Sequence, residues 1–82
     1  MASPESFDYA DRVCARLPGR LRELREAAGI GCHELARRCG VTRQMIWQIE
    51  SGKSIPTVHV VARLAPGLGV KLCELVRALE DR

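Results

Sequence analysis

Apolar residues recur along this chain at spacings of three and four, punctuated by glycine and proline, and the pattern predicts helices throughout. Phe7, Ala10, Cys14 and Leu17 form one stripe behind Ser3-Pro4, a cap and first-turn pair, so residues 4–17 read as a helix. Pro18-Gly19 predicts an interruption, after which Leu21, Leu24 and Ala28 resume the spacing up to Gly29. Leu35, Ala36 and Cys39, closed by Gly40, make a short helix that cannot stand alone. Thr42 then caps a helix reaching Glu50, with Val41 placed to staple onto Ile46 and with Ile46 and Ile49 facing inward.

Beyond residue 50 the pattern continues. Ser51 to Pro56 is turn chemistry, Thr57 caps a helix whose inward set is Val61, Leu64, Ala65 and Leu68, and Leu72, Leu75, Val76 and Leu79 share one face of a last helix. Pro66-Gly67 predicts a kink or an early end near residue 65. Ile55 to Val61 is rich enough in β-branched residues for a strand, but no second strand can be found to pair with it, so it is read as helical. The expectation is an all-α fold, a compact five-helix domain over residues 18–82 with an extra N-terminal helix in an extension over residues 1–17.

Composition narrows this further. With 82 residues the chain makes one domain, and only three aromatics (Phe7, Tyr9, Trp47) leave the core to Leu, Val, Ile and Ala. Charge is uneven: residues 20–63 carry eight bases against four acids, for a net +4, while residues 1–19 sum to −1 and 64–82 to zero. A basic excess confined to the middle is a footprint of nucleic-acid binding, though solvated helix faces also collect arginine. No apolar run spans a bilayer, and the acidic start Met1-Ala2-Ser3-Pro4-Glu5 is unlike a signal peptide, so a soluble cytoplasmic protein is expected. In that compartment Cys14, Cys32, Cys39 and Cys73 are expected to be free thiols. Cys32-His33 and Cys39 lack metal-ligand spacing, and no nucleophile, base and orienting group can be assembled around His33 or His59. Neither a metal, a cofactor nor an enzymatic activity is expected.

A short helix closed by Cys39-Gly40-Val41 and followed by the capped segment from Thr42 to Glu50 has the spacing of a helix-turn-helix. In register around it stand Leu21-Arg22-Glu23-Leu24-Arg25, Glu34-Leu35-Ala36, Gly40-Val41-Thr42-Arg43-Gln44, Ile49-Glu50-Ser51-Gly52-Lys53, Pro56 and Leu68-Gly69-Val70. From Leu21 to Leu75 the chain resembles the Cro/C1-type, lambda-repressor-like helix-turn-helix family. The resemblance implies a DNA-binding transcription regulator, a homodimeric repressor that sets its recognition helix into the major groove of a palindromic operator. Phage Cro-like proteins, restriction controllers and antitoxins share this size, and an antitoxin would add a toxin as protein partner.

The resemblance also implies roles for individual residues. Thr42, Arg43, Gln44, Trp47 and Gln48 would face base edges, where Arg suits guanine and Gln suits adenine. Arg25, Cys32, Ser51, Lys53 and Ser54 would lie along phosphates, the last three in a loop whose amides and side chains hold the backbone. Arg25 and Glu50 match a partly buried ion pair, and Leu72, Leu75, Val76 and Leu79 match a dimerisation face. Two departures stand out. Gly31-Cys32 replaces the usual polar opening of the first motif helix, leaving that helix N-terminus to offer its amides to a phosphate. Trp47 replaces a small polar residue, and either completes the local core, stacks on a sugar or thymine methyl, or anchors a protein. Two other readings stay open: a helix-turn-helix scaffold used as a protein-interaction module through Trp47, Met45 and the N-terminal helix, and a thiol-responsive regulator.

Overall fold

The computed structural model describes the backbone of residues 4–80 and the side chains of residues 7–80. Over this span the chain is all-helical: α1 Pro4–Ala27, α2 Cys32–Cys39, α3 Arg43–Glu50, α4 Val58–Leu68 and α5 Leu72–Glu80. The expected Ser3 cap lies outside the described residues.

The interruption expected at Pro18-Gly19 does not occur, and the extra N-terminal helix is not separate. The extension and the first domain helix form one element of 24 residues with Pro18 inside it. Proline deprives the Cys14 carbonyl of its helical donor, but both sides of the lesion are tied to the body. Leu17 and Leu21 are buried, and the guanidinium groups of Arg16 and Arg20 donate to the carbonyls of Leu79 and Glu74 in α5. These anchors outweigh one missing hydrogen bond. Ala28 falls beyond the helix and is exposed.

The early end expected near residue 65 is likewise absent, since α4 runs through Pro66 to Leu68. Ala65, Gly67 and Leu68 are buried there, and Gly67 lets α4 approach α2 so closely that a Cβ would strike the Cys39 thiol. The β-branched segment divides: residues 54–57 are irregular and the helix starts at Val58, with the Thr57 hydroxyl accepting from the Val60 amide at 3.2 Å.

One core joins the five helices. Leu17 and Leu21 of α1, Leu35, Ala36 and Cys39 of α2, Ile46 and Ile49 of α3, Leu64, Ala65 and Leu68 of α4, and Leu75 and Leu79 of α5 are all buried. Val13, Val41, Val61 and Val76 pack on its edge. At roughly 1.5–3 kcal/mol for each large aliphatic side chain removed from water, this cluster is what holds α2 and α3, eight residues each, in helical form. Between them Gly40 adopts φ 71°, a left-handed turn open to glycine at little cost.

Candidate nucleic-acid interface

The segment α2–turn–α3 is built so that one face of α3 is fixed and the other free. Its start is set by Thr42, extended in backbone, whose Oγ1 accepts from the Met45 amide at 3.0 Å. Ile46, Ile49 and Glu50 turn inward and are buried. Thr42, Arg43, Gln44 and Trp47 are exposed and Gln48 is half-buried, so the five residues expected at base edges occupy one outward surface. Arg43, Gln44 and Trp47 line a shallow depression together with Cys32, the second residue of the motif's opening Gly31-Cys32. The Gly31 cap of α2 makes no side-chain hydrogen bond to the first-turn amides.

Trp47 does not complete the core. It is 54% exposed, and the Lys53 ammonium sits 5.4 Å from its ring centroid, a cation–π arrangement that holds a base of the following loop over the outward face of α3.

That loop differs from its expected role in one respect. The amides of Ser51, Gly52, Lys53 and Ser54 donate to the carbonyls of Trp47, Ile49, Gln48 and Gln48 at 2.9, 3.1, 2.9 and 3.2 Å. The Ser51 hydroxyl also donates to Gln48 O at 3.2 Å. All four amides are consumed in closing α3, so a phosphate along this loop would meet side chains, above all Lys53, and not a backbone cradle.

Behind α3 lies the ion cluster. Glu50 is 7% exposed, and its carboxylate accepts from Arg25 Nε at 2.6 Å and Arg25 Nη2 at 3.0 Å. Arg25 Nη1 donates to the Ile30 carbonyl at 3.1 Å, and the side chain is 14% exposed. The expected pair is therefore present as a bidentate bridge between α1 and α3, a geometry worth more than a point contact. Within the chain Arg25 thus engages three of its five N–H donors.

Two arginines important to this geometry were missed in the sequence. Arg22 joins the cluster, its Nε 3.4 Å from Glu50 Oε1, and its side chain is 55% exposed. The signal was available, because Arg22 and Arg25 are three apart on a helix and share a side of it. Arg63 of α4 donates to the carbonyls of Cys39 and Gly40 at 2.9 and 3.2 Å, clamping the turn between α2 and α3. Only the fold could reveal that contact.

The residues expected to form a dimer face divide. Leu75 and Leu79 are corrected: they are buried within this chain's own core, at 0% and 6% exposure. Leu72 is exposed and Val76 half-buried, leaving these two to face outward. Cys39 is buried, which pushes its thiol above the usual range, while Cys14 and Cys32 are half-buried and Cys73 is exposed. All four are free thiols, and His33 and His59 are exposed.

A model of a helix-turn-helix domain matches residues 16–79, which includes the whole of α2, α3 and α4 and the residues of the ion cluster. The chain belongs to the helix-turn-helix family. It is similar to an uncharacterized HTH-type transcriptional regulator of Methanothermobacter thermautotrophicus, 38% identical over 61 residues that cover 74% of this chain and 88% of that protein. It is also similar to the HTH-type transcriptional regulator SutR of Escherichia coli, 40% identical over 50 residues, 61% of this chain and 28% of that longer protein. No solved structure matches the chain. The helix-turn-helix match starts inside α1, at residue 16, so the first three turns of that helix are an addition to the matched domain.

Proposed function

We propose that this protein is a sequence-specific, double-stranded-DNA-binding transcriptional regulator of the Cro/C1 type, acting as a homodimeric repressor on a palindromic operator. The observation that carries this reading is the division of α3: Ile46, Ile49 and Glu50 lock one face to the body, and Thr42, Arg43, Gln44, Trp47 and Gln48 stand on the other. A helix of this kind enters the major groove with its N-terminal residues at base edges. Arg43 would read guanine and Gln44 adenine, each bidentate contact supplying about 1–3 kcal/mol of discrimination. Trp47 offers an apolar ring to a thymine methyl or a sugar. Lys53, Ser51 and Ser54 would set the register on one strand through side-chain contacts, with Cys32 and the uncapped amides of α2 beside the depression. Both regulators to which the chain is similar are consistent with this role.

A homodimer would pair through the outward part of α5, where Leu72 is 41% exposed beside the half-buried Val76. Two-fold pairing would set two α3 helices about one DNA turn apart, roughly 34 Å. The alternative of a protein-interaction module draws on the exposed Trp47. It is less favoured because Lys53 stands at one face of that ring and Arg43 and Gln44 flank it, a polar and cationic setting suited to a polyanion.

Titration of a labelled mixed-sequence duplex at several salt concentrations tests the reading. With six or more phosphate contacts across a dimer, affinity should fall roughly a thousandfold between 50 and 200 mM salt. Affinity that is insensitive to salt, or no binding at low salt, would contradict it.

A further inference from the structure

The ion cluster around Glu50 holds two guanidinium groups on one carboxylate, and they are not equivalent. Arg25 spends Nε and Nη2 on Glu50 and Nη1 on the Ile30 carbonyl, and is nearly buried. Arg22 spends only Nε on Glu50, at 3.4 Å, and more than half of its side chain reaches solvent. One negative and two positive charges meet in the cluster, with Glu26 a further acid close enough to act on Arg25, and the guanidinium that reaches outward is that of Arg22. Its position is set from behind by the buried carboxylate, so that a surface side chain which would otherwise be free is oriented in advance. Beyond Glu50 the loop after α3 exposes Ser51 and Lys53, and Pro18, one helical turn before Arg22, lies beside Gly52 of that loop.

We infer that Arg22 is a phosphate-binding residue of the DNA interface, with Glu50 as its orienting group, and that Arg25 serves as the lock between α1 and α3 without contacting DNA. The inference rests on the DNA-binding reading and refines it. Arg22 Nη1 and Nη2 together present four N–H donors in a planar fork that matches two oxygens of one phosphate diester. Glu50 is held by Arg25 whether or not Arg22 is present, so loss of Arg22 leaves the carboxylate paired.

The test compares wild-type protein with the R22Q and R22K variants for binding to a mixed-sequence duplex and to the best selected duplex, each across 50–200 mM salt. Removing one phosphate contact per protomer should lower the slope of log affinity against log salt by about one for each protomer, so that an R22Q dimer, with two contacts gone, loses about tenfold less affinity than wild type over that range. R22Q should weaken both duplexes alike, because a phosphate contact carries no sequence information, and R22K should keep the wild-type slope. Far-UV circular dichroism and thermal melting should stay close to wild type. An unchanged slope in R22Q, with wild type binding normally, overturns the assignment and leaves the DNA-binding reading standing. Failure of wild type to bind either duplex overturns the reading itself and the assignment with it. Unfolding of both variants would make Arg22 a structural member of the cluster and overturn the assignment.

Discussion

Glu50 is the residue on which the interface geometry depends most. It ends α3, is buried, and faces Arg25 and Arg22 from α1. Replacing it by alanine strands a nearly buried guanidinium, and E50A should lower the unfolding free energy by about 3 kcal/mol, the lower end of the cost of breaking a buried pair. Denaturant unfolding checks this, and a loss below about 1 kcal/mol would mean that the bridge is solvated. Glu34 makes a different pH-dependent contribution. Hydrogen bonds from Arg37, at 2.6 and 3.1 Å, and from Arg38, at 2.9 Å, lower its pKa from 4.5 to about 2. A carboxylate whose folded pKa is depressed stabilises the fold above its unfolded pKa, and that stabilisation is lost as pH falls from about 4.5 towards 2. The E34Q variant should therefore show a shallower loss of stability over that interval in acid titration; a superimposable curve would show that the exposed pair is screened. The Arg25–Glu50 pair, the Thr42 cap and the outward position of Arg43 and Gln44 were legible in the sequence because these residues belong to an ordered motif. Arg63 was not legible, since its partners are backbone carbonyls that no residue pattern marks, and Arg22 could be read only from its spacing to Arg25.

At the scale of elements, the short helices α2 to α5 follow from spacing, caps and glycine stops, and Thr42 and Thr57 cap as their positions predict. Proline was the weak signal. Local rules end a helix at Pro18 and at Pro66, yet buried neighbours on both sides keep α1 and α4 continuous. Propensity is a small term beside the burial of Leu17, Leu21, Ala65 and Leu68, which a reading of local breaks cannot weigh. Gly19 offers a direct check on α1. It sits in mid-helix, and a Cβ there would meet nothing within 4 Å. G19A should raise stability by about 0.5–1 kcal/mol if the helix is continuous through this point. A destabilised variant would argue for a break after Pro18.

At the scale of the molecule, α1 and the core do one job: they hold α3 by its apolar side and by Glu50 so that its polar side stands clear. Of the eight bases between residues 20 and 63, Arg22, Arg43 and Lys53 stand exposed on α1, α3 and the loop after α3, while Arg37 and Arg38 pair with Glu34 and Arg20, Arg25 and Arg63 are tied to groups within the fold. The dimer face was less legible, because apolar spacing on α5 cannot separate side chains used inside one chain, Leu75 and Leu79, from those left outside, Leu72 and Val76. The central claim is that the outward face of α3 reads a DNA sequence. Selection of bound duplexes from a random library by the purified protein, alongside an R43A/Q44A double variant, tests it most directly. The account predicts enrichment of a palindrome with half-sites about one helical turn apart, and its loss in the variant while the fold persists. Enrichment of no sequence at low salt, or of the same sequence by the variant, would contradict it.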